Sequence, residues 1–160
     1  MEMSENGRSF LTNWEGKMRQ IYRDSAGLLT IGVGHLLTRD EITSGKIMIA
    51  GVPVKYANGL TDQQIDKLLE QDLPWAESAV NTYIDVELNQ NQFDALCSFC
   101  FNIGKQAFSS STLRKVLNQG RYDLVPEQLA RWNRAGGKVL QGLINRRNNE
   151  IELFNGGYFE

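Results

Sequence analysis

Glu15-Gly16-Lys17-Met18-Arg19-Gln20-Ile21-Tyr22-Arg23-Asp24-Ser25-Ala26-Gly27-Leu28-Leu29-Thr30-Ile31-Gly32-Val33-Gly34-His35 begins where one hydrophobic period ends and another starts. Just upstream, Phe10, Leu11 and Trp14 fall at i, i+1 and i+4, so Ser4 to Glu15 reads as a short helix with one apolar stripe. Gly16 stands where such a helix stops. Inside the quoted stretch Ile21, Leu29, Ile31 and Val33 keep the alternation of a strand, and Asp24-Ser25-Ala26-Gly27 is turn chemistry. Lys17 to Arg23 and Leu28 to Val33 are therefore the arms of a β-hairpin.

Downstream, Leu36 to Gly59 holds several glycines, Pro53 and a short β-type run at Ile47 to Ile49, and reads as irregular chain with room for a strand pair. The conformation of 37–59 stays open. Thr61-Asp62-Gln63-Gln64 fits a capping box, in which the Thr hydroxyl and the Gln amide satisfy free N–H groups of a new helix. Ile65, Leu68, Leu69, Leu73, Ala76, Ala79 and Val80 carry helical spacing on to about Tyr83, with a kink expected at Pro74. Asn89 and Gln92 open another helix, apolar nearly all round and ended by Asn102-Ile103-Gly104, which suits the centre of a helical lobe. Three more helices are expected: about Thr112 to Asn118, Pro126 to Trp132 with proline in the first turn, and Leu143 to Phe154. The fold class is α+β. A small hairpin-containing lobe (14–60) is joined by a long helix (61–83) to a larger all-helical lobe (84–160, plus the helix 4–13).

Composition is that of a globular protein, 41% hydrophobic and 22% charged over 160 residues, with no apolar run approaching the roughly 18 residues of a membrane span. The N-terminal residues lack the apolar core of a signal peptide, so cytosolic synthesis is expected. A net charge of −2 argues against nucleic-acid binding. Charge is uneven, however: nine lysines and arginines between Lys105 and Arg147 face only Asp123 and Glu127. That stretch reads either as a basic face for a polyanion or as ordinary solvated helix surface. Cys97 and Cys100 form a C-x-x-C, but they lie in apolar surroundings and His35 is the sole histidine, so core packing is expected and no metal site.

Glu15 and Asp24 are the pair with chemical promise. Glu15 closes a helix, where backbone carbonyls concentrate partial negative charge, and Trp14 is its apolar neighbour. Both features favour a protonated carboxyl, the state a general acid requires. Asp24 opens a solvated turn and should stay ionised. Carboxyls in such contrasting environments are the usual sign of separate acid and base roles. Thr30, on the returning strand, could hold a water between them. Taken singly, each residue has an ordinary reading: an Asp that opens a turn, a Thr in a strand, a solvated terminal Glu. Gly32-x-Gly34 lacks the third glycine and following helix of a phosphate loop.

The spacing adds weight. Glu15, eight residues, Asp24, five residues, Thr30 resembles the catalytic signature of the phage-type lysozymes, the endolysins of glycoside hydrolase family 24. Glu15-Gly16, Tyr22-x-Asp24, Gly27 and Thr30-Ile31-Gly32-Val33-Gly34-His35 match the same pattern. Leu88-Asn89-Gln90-Asn91-Gln92-Phe93-Asp94-Ala95-Leu96 and Phe101-Asn102-Ile103-Gly104 look like that family's central helix. Trp132, Gly136-Gly137 and Gly142-Leu143-x-x-Arg146-Arg147-x-x-Glu150 resemble its C-terminal segment. The resemblance runs from about Asn13 to Phe154.

The resemblance implies a lysozyme-like fold and hydrolysis of peptidoglycan at the β-1,4 bond between N-acetylmuramic acid and N-acetylglucosamine, in a cleft between the lobes. Glu15 would protonate the leaving oxygen, Asp24 and Thr30 would position or activate water, and Arg146 would orient Glu15. No cofactor is implied; peptidoglycan is the partner, the chain is expected to be a monomer, and a separate holin would give access to the wall. Pro74 and the unmatched Ser44 to Asn58 depart from the pattern and bear on the shape of the cleft. The rivals are a lytic transglycosylase, which needs only one acid, and a wall-binding module without catalysis. His35 is expected to be structural, with Asp72 on the long helix as its partner.

Overall fold

The computed structural model describes residues 1–157; the remaining 158–160 of the expected helical lobe lie outside the described residues. The first helix, α1 (Glu5–Glu15), buries Phe10 and Leu11. β1 (Met18–Arg23) and β2 (Leu29–Gly32) pair antiparallel around the Asp24–Gly27 turn. A third strand, β3 (His35–Leu36), extends this sheet beside β2, beyond the two-armed hairpin expected from the sequence. Val33 falls in the turn between β2 and β3 and is buried there.

The segment read as irregular chain with room for a strand pair holds that pair, together with a helix. It contains α2 (Arg39–Ser44) and a two-stranded ribbon of β4 (Lys46–Ile49) and β5 (Val52–Lys55). α2 starts with a full capping box: Glu41 N–H donates to Thr38 Oγ1, and the Glu41 carboxylate accepts from Thr38 N–H. It buries no residue, so it has no hydrophobic period to find. Pro53 sits opposite Met48 in the ribbon, where an edge strand tolerates a missing donor.

α3 (Asp62–Tyr83) opens on the Thr61–Gln64 box and continues through Pro74. α4 (Gln90–Ile103) opens on the Asn89–Gln92 box and is buried without interruption from Phe93 to Cys100. α5 (Lys105–Ser109) follows, then α6 (Thr112–Asn118), a 3-10 turn at Tyr122–Leu124, and α7 (Val125–Ala130) with its proline in the first turn. A short ribbon, β6 (Arg134–Ala135) with β7 (Lys138–Val139), interrupts the helical region around Gly136-Gly137. α8 (Gln141–Phe154) is the last element.

Two compact units divide the chain. One is Thr12–Leu73; the other joins Met1–Leu11 to the chain from Pro74 onward. The long helix is thus shared between the units, its halves meeting at Leu73 and Pro74. In the first unit Ile31, Val33, Ile47, Ile49, Leu60, Ile65, Leu68 and Leu73 are buried. A Cβ on Gly32 would lie 3.6 Å from Ile65 and Leu68, so β2 packs closely on the first half of α3. In the second unit α4 packs on α8, and Leu96, Phe99, Phe108, Leu113 and Leu117 are fully buried. There the start of the chain is fastened to buried Asp94, which accepts from Ser4 N–H at 3.0 Å and from Gln90 Nε2 at 2.9 Å. A Cβ on Gly7 would run into the Asp94 carboxyl group, so only glycine allows this approach.

Cys97 and Cys100 are buried free thiols in α4. Burial pushes the Cys100 thiol up to about 12 and raises Cys97 as well, the state of inert packing residues.

Candidate active site

The candidate site residues of the first unit are placed by two helix and strand ends. Glu15 is the last residue of α1, whose final turn closes with Gly16 N–H donating to Thr12 O at 2.8 Å. It is partly buried. Asp24 follows β1 immediately, and its carboxylate organises the hairpin turn. Oδ1 accepts the Ala26 and Leu28 N–H groups, each at 2.9 Å. Both of these bonds fall on one oxygen, so the other takes no part in holding the turn. The Arg23 guanidinium donates to Gly27 O at 2.8 Å and braces the same turn.

Thr30 is 1% exposed, and its hydroxyl donates to Leu28 O at 2.9 Å. The hydroxyl proton is thereby committed, and what Thr30 Oγ1 can offer a ligand is its lone pairs. Leu28 O also accepts the Asp24 N–H, at 2.9 Å.

Tyr22, to which the sequence alone assigns no role, links these groups. It pairs with Thr30 across the β1–β2 ladder, so both side chains stand on one face. The register shifts between the Met18–Gly32 and Tyr22–Thr30 pairs. Such a bulge bends a strand and re-aims its side chains. Burial raises the Tyr22 phenol pKa above its ordinary value, and the charges of Glu15 and then Asp24 raise it further. Two carboxylates therefore act on one ring that faces Thr30.

His35 and Asp72 lie elsewhere in this unit. His35 Nδ1 is 2.7 Å from Asp72 Oδ2 on α3, and Nε2 is 2.9 Å from Glu41 Oε1 on α2. Glu41 was not named from the sequence, although its place in the Thr38-x-x-Glu41 box was legible. Burial works against a charged ring, but the hydrogen bonds and charges of Asp72 and Glu41 outweigh it and raise the His35 pKa above 6.5.

Arg146 belongs to the other unit. It is buried at 4% exposure within a cluster of charges on α8. Its Nε donates to Glu150 Oε2 at 3.2 Å and its Nη2 to Ser98 O at 3.0 Å. Ser98 Oγ donates to the same carboxylate at 2.6 Å. Arg147 donates to Glu150 Oε1, to Asn102 Oδ1 and, at 2.9 Å, to Trp132 O, with its guanidinium 4.9 Å over the Phe99 ring. A charge this deeply buried persists only when paired and hydrogen-bonded, and these are. Arg146 and Arg147 thus leave the surface on which a basic face could form. Arg121 and Arg131 pair with Asp123 and Glu127, which thins that face further.

Residues 12–150 match the family model described as Phage lysozyme. The chain is 40% identical over 154 residues to the endolysin of Salmonella phage P22, an alignment covering 96% of this chain and 98% of that protein. The solved endolysin of Escherichia coli O157:H7 phage FAHEc1 is similar with a TM-score of 0.81 at 34% identity, covering 100% of this chain and 98% of the other. The muramidase domain of SpmX from Asticaccaulis excentricus is similar with a TM-score of 0.78 at 33% identity, over 96% and 97% of the two chains.

Proposed function

Because the chain belongs to the phage lysozyme family, we propose that it hydrolyses the β-1,4 bond between N-acetylmuramic acid and N-acetylglucosamine, with Glu15 as general acid. The chain is a glycoside hydrolase of the lysozyme kind, and the wall polymer peptidoglycan is the substrate its family implies. The observation that supports the residue roles is the convergence on Tyr22, where the charges of Glu15 and Asp24 meet opposite Thr30.

Glycoside hydrolysis needs a proton for the leaving oxygen and a nucleophile on the other face of the sugar. Glu15 gives the proton. Asp24 commits Oδ1 to the turn and keeps Oδ2 for a water. Thr30, its own proton on Leu28 O, accepts from that water too. A water held by two acceptors donates both of its hydrogens, which leaves a lone pair to attack the anomeric carbon. Attack by water in one step inverts the configuration. Arg146 keeps the orienting role that the resemblance gives it. On the same reading the protein acts as a monomer without a nucleic-acid partner. It reaches the wall from the host cytoplasm through a lesion made by another protein, and lyses the host.

The sugar ends released from purified peptidoglycan test this reading. Reducing muramic acid is the expected end. Anhydromuramic acid would make the enzyme a transglycosylase, and no release at all would leave a wall-binding module.

A further inference from the structure

Lys46 and Lys55 face each other directly across the β4–β5 ribbon. Both are exposed, and neither forms an ion pair among the described residues. Like charges placed opposite each other work against a ladder, so nothing in the ribbon's own stability accounts for them. The next pair on the same face towards the turn is Met48 and Pro53. Met48 is 56% exposed and Pro53 is exposed as well, while Val52, paired with Ile49 on the other face at the end of the ribbon, is 57% exposed. Ala50 and Gly51 form the tip, both with positive φ (52° and 78°), the tight turn that suits a two-residue hairpin.

This apolar tip is held rigidly. Ile47 and Ile49, on the opposite face, are 1% and 4% exposed and anchor the ribbon. Gln71 on α3 clamps the end from below: Oε1 accepts Ala50 N–H at 2.7 Å and Nε2 donates to Met48 O at 2.9 Å. The ribbon therefore presents apolar side chains at its end and two ammonium groups one pair, roughly 7 Å, behind them. That depth order matches a bilayer surface, with acyl chains beneath a layer of phosphates. A polar wall polymer would use the lysines but bury less apolar surface against Met48 and Val52 than acyl chains would.

We propose that the β4–β5 ribbon is a peripheral docking element for an anionic lipid surface. Met48, Val52 and Pro53 enter the interface while Lys46 and Lys55 meet lipid phosphates. The contact is superficial, and no helix of the described chain is long and apolar enough to cross a membrane. An enzyme docked in this way would be retained at the membrane that underlies its substrate.

The test is co-sedimentation of the full chain with vesicles of phosphatidylglycerol and phosphatidylethanolamine, set against vesicles of phosphatidylcholine alone. Binding is expected to the anionic vesicles only, and to weaken with added salt. Lys46→Gln and Lys55→Gln should each lower the partition coefficient about fivefold. Met48→Ser with Val52→Ser should lower it too while leaving the salt dependence in place. All of these variants should digest purified peptidoglycan as the parent does, since none of the positions lies in the site described above. Equal binding to both vesicle types, or lysine variants that bind as the parent, would overturn the proposal. It would equally fail if the variants lost affinity for purified wall and not for vesicles. Self-association of the lysine variants with unchanged vesicle binding would reduce the two lysines to guards against strand pairing.

Discussion

Asp24 and Thr30 are held by the main chain of a single residue: the Asp24 amide and the Thr30 hydroxyl both donate to Leu28 O, each at 2.9 Å. The Leu28 amide in turn donates to Asp24 Oδ1. One residue therefore fixes the Asp24 carboxylate and the Thr30 hydroxyl relative to each other, and on the proposed roles the hairpin turn is part of the chemistry. The two roles of Asp24 can be separated. Asparagine keeps an Oδ1 for the Ala26 and Leu28 amides but has no negative charge. Asp24→Asn should melt within a degree or two of the parent and lose about 10²–10⁴-fold in rate. Asp24→Ala should lose activity and also about 1–2 kcal/mol of stability, with the turn amides left to water. Paired thermal melts and turnover on purified wall give both numbers.

Thr30 should behave as an acceptor. Thr30→Val preserves the shape of a residue that is 1% exposed but removes the oxygen. Thr30→Ser keeps it. Turnover should fall at least about tenfold in the valine variant, the scale of one lost hydrogen bond. The serine variant should remain close to the parent. Equal loss in both would mean that the methyl packing matters and the lone pairs do not.

Tyr22 offers a spectroscopic reading of the two carboxylates. After burial, the charges of Glu15 and Asp24 hold its phenol above the ordinary range. Removing a negative charge favours the phenolate, so the Tyr22 pKa should be lower in Glu15→Gln than in the parent, and lower in Asp24→Asn as well. Ultraviolet or NMR titration of each variant reads this directly. The same Glu15→Gln protein should fold and lose turnover by orders of magnitude, since an amide supplies no proton. A Tyr22 titration unmoved by either change would mean the carboxylates are not gathered around it.

Stereochemistry follows from the water. If Asp24 acts as base through water, the first-formed product is the inverted anomer, seen by NMR before mutarotation. A retained β-anomer would instead make Asp24 the nucleophile.

What the sequence disclosed depended on how local the signal was. Capping boxes at Thr61 and Asn89 are four-residue events, and both helices begin where they predict. Thr38-x-x-Glu41 carries the same signal, but α2 buries nothing, so no apolar period drew attention to it. β3 and the β6–β7 ribbon are two-residue strands, too short for a period of any kind. Glu15, Asp24 and Thr30 were legible by spacing. Tyr22 was not, because only the hairpin register, set at the turn by Arg23 against Leu29, places it opposite Thr30. Arg146, Arg147 and Glu150, spaced by three and four residues, resemble a solvated salt-bridged helix face. Only the approach of Ser98 and Asn102 on α4, with Trp132, reveals that the face is inside.

His35 is expected to act on stability and not on turnover. Its ring ties β3 to α3 through Asp72 and to α2 through Glu41. The raised pKa in the folded protein fixes the sign. Protonation is favoured by folding, so the contribution is fully present below the unfolded value of about 6.5 and is lost as pH rises through the higher folded value. An asparagine at this position cannot take up the proton. The parent should therefore melt above His35→Asn by a margin that is widest on the acid side of about 6.5 and that narrows steadily on the alkaline side. Melting curves of the two proteins across that range measure the margin, and wall digestion by the variant should stay close to the parent. A margin that grew with pH would mean that the neutral ring is the form these carboxylates hold. Full loss of digestion in a normally folded variant would move His35 into the chemistry.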